Sequence, residues 1–512
     1  METFGADDGS ANDGLPGRAG SPWHDRPDRS PRAPVDRETS VDVAVVGAGI
    51  IGLTAALELA RSGARVAVLE RRRVGAGVTG STTAKLTSLH GLRYASLRST
   101  RGEAAARAYA EINEAGIATV VGLVAELGIS CDLRRKPHLA YTEDPEERGA
   151  IEEEVDAART AGLAVDYVED AGLPFPIAGA ARIGDQAELD PIAYVEGLAT
   201  AIEDAGSSVY EDAAAVGVTG GDVLVAGGHR VRAERVVVAT QLPFLDRGLL
   251  FARAKPSRSY ALTARVPTPP LAEMYVSVSS PTRSLRSMRW RGEELLIVAG
   301  QGHAMGHGDA DESLRALERF ARERARATEI EHRWSAHDYA SEDGLPYIGR
   351  LTPKSDRIVT ATGMGKWGLA MGTTAGRMMS DSVLGRPSRW AEIFDPWRLP
   401  PLRGTLPLIE HNLDAGLAFI GDRLRRGASA RGIAAGEGRV VGMGPGRRAV
   451  YRDDAGVLHW LSARCTHLGC LVRWNRPERT WDCPCHGSRF GPRGEVLSGP
   501  AVHPLEHRDP PG

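Results

Sequence analysis

"VDVAVVGAGIIGLTAALELARSG", residues 41–63, joins three patterns whose order decides the fold. Residues 41–46 are rich in valine, as expected of a parallel strand buried on both faces. From Ile50 onward the apolar residues recur at helical spacing. Between strand and helix stand Gly47, Gly49 and Gly52 in a G-x-G-x-x-G arrangement. Gly47 permits the tight turn, Gly49 lets backbone approach a pyrophosphate, and Gly52 lets helix and strand pack closely. A second strand, "ARVAVLE" (64–70), ends in Glu70, about twenty residues on, where a carboxylate can accept from a ribose 2′-hydroxyl. Strand, glycines, helix, strand and acid in this order predict a dinucleotide-binding α/β domain.

Working outward, Glu70 is followed by the polar, glycine-rich "RRRVGAGVTGSTTAKLTSLHG" (71–91) and by predicted helices near 102–127 and 145–162. A strand, "RVVVAT" (235–240), leads to Gln241 and Pro243, and "ELLIVAGQGH" (294–303) reads as a strand and turn. Late in the chain "DGLPYIGRL" (343–351) precedes the strand "RIVTA" and then "TGMGKWGLAMGTTAGRMMSDSVLG" (362–385). This last stretch predicts a glycine-rich turn entering a helix near Gly372, whose start presents backbone N–H groups and positive potential.

The ordering resembles the FAD-dependent oxidoreductases of the D-amino-acid oxidase and glycine oxidase type, over roughly residues 40–390. The resemblance implies a Rossmann-type FAD-binding domain with an inserted α+β substrate domain. It places the FAD diphosphate at Gly47, Gly49 and Gly52 and the adenosine ribose at Glu70. The flavin would be lined by Thr82, Thr83, Ala84 and Lys85, and by Gly363, Gly365, Gly368, Met371 and Gly372. Lys85 and Lys366 attract notice because each lies in a flavin-proximal motif of a lysine-poor chain. They are the catalytic candidates together with His303. His303 and Trp334 are candidates to face the substrate pocket, and Arg258 and Tyr260 to bind a substrate carboxylate.

From about residue 430 the texture changes to short strands and turns, "GRVVGM", "RRAVYRD" and "VLHWLSA". Of five cysteines, Cys465, Cys470, Cys483 and Cys485 crowd into this tail, which argues for a metal site more than a disulfide scaffold. Cys131 reads as a small buried apolar residue. The two boxes "CTHLGC" (465–470) and "CPCHGS" (483–488) match C-x-H-x-G-C and C-x-C-H-G-S. A zinc knuckle is the alternative for a Cys/His cluster, but zinc more naturally takes wider C-x₂-C spacing. The boxes, with "SGPA" (498–501) after them, resemble Rieske [2Fe–2S] proteins. That likeness implies Cys465 and Cys483 on one iron and His467 and His486 on the other. In the Rieske proteins of respiratory and photosynthetic complexes the two remaining positions, Cys470 and Cys485 here, form a disulfide between the cluster loops. Neutral imidazoles in place of thiolates ease reduction, giving roughly −150 to +300 mV against about −400 mV for plant-type ferredoxins.

The expected organisation is a disordered leader over 1–40, the FAD-dependent part over 41–390, a linker and connecting helix over 391–429, and a small all-β Rieske domain over 430–512. The leader is rich in Gly, Pro, Asp and Arg and poor in aliphatics, too little apolar surface to offset the entropy of ordering. Lys plus Arg total 63 against 66 Asp plus Glu, a net charge of −3, so nothing points to nucleic acid or an anionic membrane as partner. No apolar run reaches the roughly 20 residues of a membrane helix and no export signal precedes the domain, so a cytoplasmic location is expected.

A flavin domain followed by a Rieske domain resembles bacterial FAD-dependent oxidoreductases with a C-terminal Rieske domain. The implied activity is a dehydrogenase that oxidises a small amine or amino-acid-like substrate. Its electrons would pass singly through the cluster to a carrier protein or other acceptor. The alternatives are a reductase in which the cluster feeds the flavin, and a redox sensor. A Rieske oxygenase is disfavoured because no 2-His-1-carboxylate iron domain is evident.

Overall fold

A computed structural model describes residues 14–26, 29–267, 271–399 and 429–510. The opening motif builds the centre of the first sheet. Strand Thr39–Val46 pairs in parallel with Val66–Leu69 on one side and Arg230–Val238 on the other, and the next neighbours outward are Ser208–Tyr210 and Ser355–Thr362. Tyr347–Thr352 closes one edge in antiparallel register. Val43 to Val46 and Val66 to Leu69 are buried on both faces, with Val45 and Val68 packed under helix Ile50–Arg61 and Ala44, Val46, Ala67 and Leu69 under the hairpin Ala215–Thr219 and Asp222–Val225, which is why these strands are uniformly apolar and not alternating.

Helix Ile50–Arg61 follows the glycine turn and packs against helix Ala370–Val383, so the first and last glycine-rich motifs meet. Gly372 and Gly376 permit this approach. A Cβ on Gly376 would lie 2.6 Å from the Ile51 carbonyl oxygen. Predicted helices are found at Glu103–Leu127 and Arg148–Thr160.

The second sheet runs, in spatial order, Arg18–Ala19, Glu329–Ser341, Ala254–Arg265, Glu293–Ala304, Arg283–Trp290, Met274–Ser277, Arg134–Thr142, Gly179–Glu188 and Lys85–Leu86. One face carries Ala261, Ile297, Ala299 and Trp334 into the large core shared with the dinucleotide domain. The opposite face carries Tyr260, Leu262, Leu296 and Val298 into a core with helix Ala310–Ala325. The tail forms a three-stranded sheet, Gly438–Val441, Arg448–Arg452 and Leu458–Ser462, and a four-stranded one, Arg473–Asn475, Thr480–Asp482, Arg489–Phe490 and Val496–Ser498.

The expectation of a disordered leader is corrected from Gly14 onward. Arg18 and Ala19 pair in parallel with His332 and Arg333, and Trp23 is 2% exposed. Composition missed this because the segment is held by a few specific anchors on other elements, not by a core of its own. Arg29 and Arg32 pair with Glu196 and the buried Glu211. Between 391 and 399 the structure shows a short helix, Ala391–Phe394, and Arg398 pairs with buried Asp343 at 2.8 Å. The connecting helix read in "LIEHNLDAGLAFIGDRLRR" lies outside the described residues. No helix among the described residues is long and apolar enough to cross a membrane.

Candidate functional site: a dinucleotide cradle and a cysteine–histidine centre on one strand

At the cradle, Gly47 has φ +104°, and a Cβ on Gly52 would run into the Gly47 carbonyl oxygen. Gly49 caps helix Ile50–Arg61 without a side-chain hydrogen bond. An uncapped helix start at a glycine turn is suited to an anionic diphosphate. Glu70, at the tip of the next strand, accepts from Ala48 N at 2.9 Å and Arg72 N at 3.0 Å, which places its carboxylate beside the turn. Thr79 Oγ1 accepts from Ile50 N at 3.2 Å, so the 78–85 loop lies over the same helix start. These residues fit a bound FAD.

Gly363 and Gly365 both have positive φ, and Gly368, Met371 and Gly372 lead into or lie on the late helix. Lys366 N donates to Asp338 Oδ2. Trp367 stacks on His90 at 4.2 Å, joining this turn to the end of "TTAKLTSLHG". His90 is buried, with Nδ1 on the Tyr109 hydroxyl at 2.6 Å and Nε2 on Thr87 O at 2.8 Å. His138 reaches the edge of Trp367 from the substrate sheet, and neither of its buried ring nitrogens has a hydrogen-bond partner among the described residues.

Lys85 and Lys366 are held differently. Lys85 is buried, and its Nζ donates to Tyr275 O and Ser284 Oγ, so its ammonium is spent within the sheet. Burial and neighbouring Arg286 push its pKa well below the ordinary lysine value. Burial also lowers Lys366, with Asp338 opposing.

The tail brings its two boxes together. Cys465 and Cys483 are free, buried thiols. Cys470 and Cys485 are joined by a disulfide. The Sγ atoms of Cys470, Cys483 and Cys485 lie within 4.8 Å of one another, but with two of them bonded that triad offers one thiolate only. The rings of His467 and His486 are 5.1 Å apart. His467 Nε2 meets Asp246 Oδ1 at 2.8 Å, while its buried Nδ1 has no hydrogen-bond partner among the described residues. An imidazole held by one nitrogen with the other left over is the arrangement of a metal ligand. With two free thiols alongside, the donor set fits a two-sulfur, two-imidazole centre.

This centre faces the flavin half of the chain. Phe251 packs edge-on against His467 at 5.5 Å and His486 at 5.2 Å. The buried Tyr339 hydroxyl donates to His486 O at 2.8 Å. Gly487 has φ +78°, and a Cβ there would sit 2.5 Å from the Tyr339 hydroxyl oxygen, so glycine is what lets this contact form. Arg258 pairs with Asp482 at 2.7 Å and Glu478 at 3.6 Å. Burial opposes the Arg258 charge, but Asp482 and Glu478 outweigh it and raise its pKa.

Those contacts revise three sequence expectations. Arg258 is committed to Asp482, which leaves no guanidinium for a substrate carboxylate. Tyr260 and His303 contact each other at 3.1 Å on the sheet face that turns away from the dinucleotide domain. Gly302, one residue earlier, is the one facing Lys366 Nζ. Trp334 does face the shared core, but its indole donates to Ser81 O at 2.9 Å. Sequence reasoning missed Asp246, Phe251, Asp338 and Tyr339. Only the alternation of "HDY" hinted that 338 and 339 would serve opposite faces.

The FAD dependent oxidoreductase (DAO) family model matches residues 42–382. The chain belongs to this family. A Rieske [2Fe-2S] domain model matches residues 428–508 of the oxidoreductase, so its cofactors are FAD and a Rieske [2Fe–2S] cluster. The oxidoreductase is 33% identical over 481 residues to the putative Rieske 2Fe-2S iron-sulfur protein YhfW of Bacillus subtilis (strain 168), covering 93% of this chain and 94% of that one. A shorter match, 49% over 55 residues, reaches the cytochrome b6-f complex iron-sulfur subunit of Synechococcus sp. (strain JA-3-3Ab), covering 10% of this chain and 32% of that one. Glycine oxidase from Geobacillus kaustophilus shares the fold with TM-score 0.58 at 22% identity, over 70% of this chain and 99% of that one. L-proline dehydrogenase from P. horikoshii does so with TM-score 0.59 at 19% identity, over 71% and 98%.

Proposed function

We propose that the oxidoreductase dehydrogenates a small amine or amino-acid-like substrate and passes the electrons through its own Rieske domain to an external acceptor. Bound FAD supplies a two-electron acceptor and the bound cluster a one-electron relay. The observation that carries this reading is the pair Asp338 and Tyr339. Side chains of successive strand residues point to opposite faces. Asp338 reaches the glycine-rich turn through Lys366 N, and Tyr339 reaches the cluster loop through His486 O. One strand thus forms the partition between the two centres.

The amine class is supported by the fold shared with proteins named glycine oxidase and L-proline dehydrogenase. Removing hydride from a neutral amine depends chiefly on orientation. His138 is placed to orient such a substrate, since both its nitrogens are buried and uncommitted on the sheet beside Trp367. Its pKa lies well below the ordinary value because of burial and then Lys85, which keeps the ring neutral and able to accept a hydrogen bond.

Anaerobic rapid mixing with a panel of amines tests the proposal. The expected sequence is flavin bleaching and then cluster reduction in the same molecule. Bleaching by no amine, together with fast reduction by a reduced carrier protein, would reverse the assigned direction.

A further inference from the structure

The Ser81–Lys85 loop is gripped from outside by three side chains of distant origin. Trp23, in the leader, donates its indole N–H to Thr82 O at 2.8 Å. Trp334, on strand Glu329–Ser341, donates to Ser81 O at 2.9 Å. Arg286 donates to Ala84 O at 2.6 Å, at a residue whose φ of +58° is unusual for alanine. The Arg286 guanidinium also lies 5.6 Å from the Trp23 ring centre. The leader presses on the preceding turn as well, since a Cβ on Gly80 would lie 2.5 Å from the His24 ring.

Holding two successive carbonyls from different elements fixes the peptide planes between them. The side chain of Thr82 and the backbone of Thr83 are thereby fixed too. With carbonyls 81, 82 and 84 turned toward N–H donors, and Ala84 N donating to Thr82 Oγ1 at 3.1 Å, the Thr83 amide and hydroxyl and the Thr82 hydroxyl hydrogen are the groups the loop has left for a ligand. Thr79, just upstream, already touches the first turn of helix Ile50–Arg61, so the loop and the diphosphate turn form one cradle. We propose that the leader is part of the cofactor site, with Trp23 and Trp334 as positioning residues that clamp the Ser81–Lys85 loop against FAD. This rests on the reading of that loop as flavin-facing.

The test uses the full-length protein carrying Trp23→Phe or Trp334→Phe, changes that keep a ring in place and remove the donor. FAD affinity is read by flavin fluorescence on reconstitution of apoprotein, and the visible flavin band is recorded alongside. Cluster content and thermal unfolding serve as the check on folding. Each variant is expected to weaken FAD binding about tenfold, the equivalent of one lost buried hydrogen bond, with cluster content unchanged. Should the leader variant fail to fold, Trp334→Phe carries the same prediction with the leader intact. Unchanged affinity and band in the folded variants overturn the clamp. Thr83→Val separates the two ways of failing: a shift there, without one in the tryptophan variants, leaves the loop flavin-facing and removes the clamp alone. No shift in any of the three removes both.

Discussion

The Tyr339 hydroxyl donates to the His486 backbone carbonyl at 2.8 Å, tying the strand behind the glycine-rich 363–372 turn to the loop of the second cysteine–histidine box. Tyr339→Phe removes this buried bond, a net cost of about 0.5–1.5 kcal/mol. FAD and iron content should be unaffected. Stopped-flow spectroscopy of the substrate-reduced enzyme should show slower electron transfer from flavin to cluster, and an unchanged rate would remove Tyr339 from the route.

The four tail cysteines should separate by role. Cys483→Ser is expected to abolish the optical and magnetic signature of the cluster. Cys485→Ser, which breaks the bridge to Cys470, should leave a cluster that is less stable or shifted in potential. Equal iron loss in both variants would contradict the division.

Docking of the tail depends on a buried ion pair. Arg258→Ala removes the cation that reaches Asp482 and Glu478 from the flavin half and leaves them with Arg489 of their own domain, a cost below the about 3–5 kcal/mol of a fully orphaned buried charge. Limited proteolysis should then separate flavin and Rieske fragments at protease levels that leave the parent chain whole.

Acid should loosen the same interface through His337. Its Nε2 meets Ser498 Oγ at 3.1 Å, and burial, followed by Arg489 and Arg258, lowers its pKa to about 3 from an ordinary 6.5. Because the unfolded chain binds this proton more readily, the stability due to neutral His337 is complete above 6.5 and is lost as pH falls toward 3. Melting temperature should decline across that window, and less steeply in His337→Asn.

At the cradle, Gly52→Ala forces a methyl into the Gly47 carbonyl and should yield protein with a cluster but little FAD. Flavin-to-iron ratios after purification read this directly.

Much of this architecture is legible in local pattern. The buried valine strand, the three glycines and Glu70 are contiguous or nearly so, and the physics they encode is local: a turn, a close approach, a strand tip. The cluster boxes are similar, since "CTHLGC" and "CPCHGS" each fold as a tight turn with Cys465 O and Cys483 O accepting from Gly469 N and Gly487 N. The leader shows the opposite case. Its composition argues for disorder, yet Trp23 finds Thr82, and Arg29 finds Glu196 and Glu211. Nothing in a polar, proline-rich stretch announces which distant carbonyl or carboxylate will hold it.

By itself, the sequence determined a dinucleotide cradle followed by a cysteine–histidine centre, because both are built from short motifs whose residues lie near one another in the chain. Only the tertiary structure decided how the two are joined. It set Tyr339 against His486, Asp246 against His467, and Arg258 on Asp482 in place of a substrate. These pairs depend on long-range strand order and on which face of a sheet is left for another part of the chain to cover, and no periodicity along the chain carries that information.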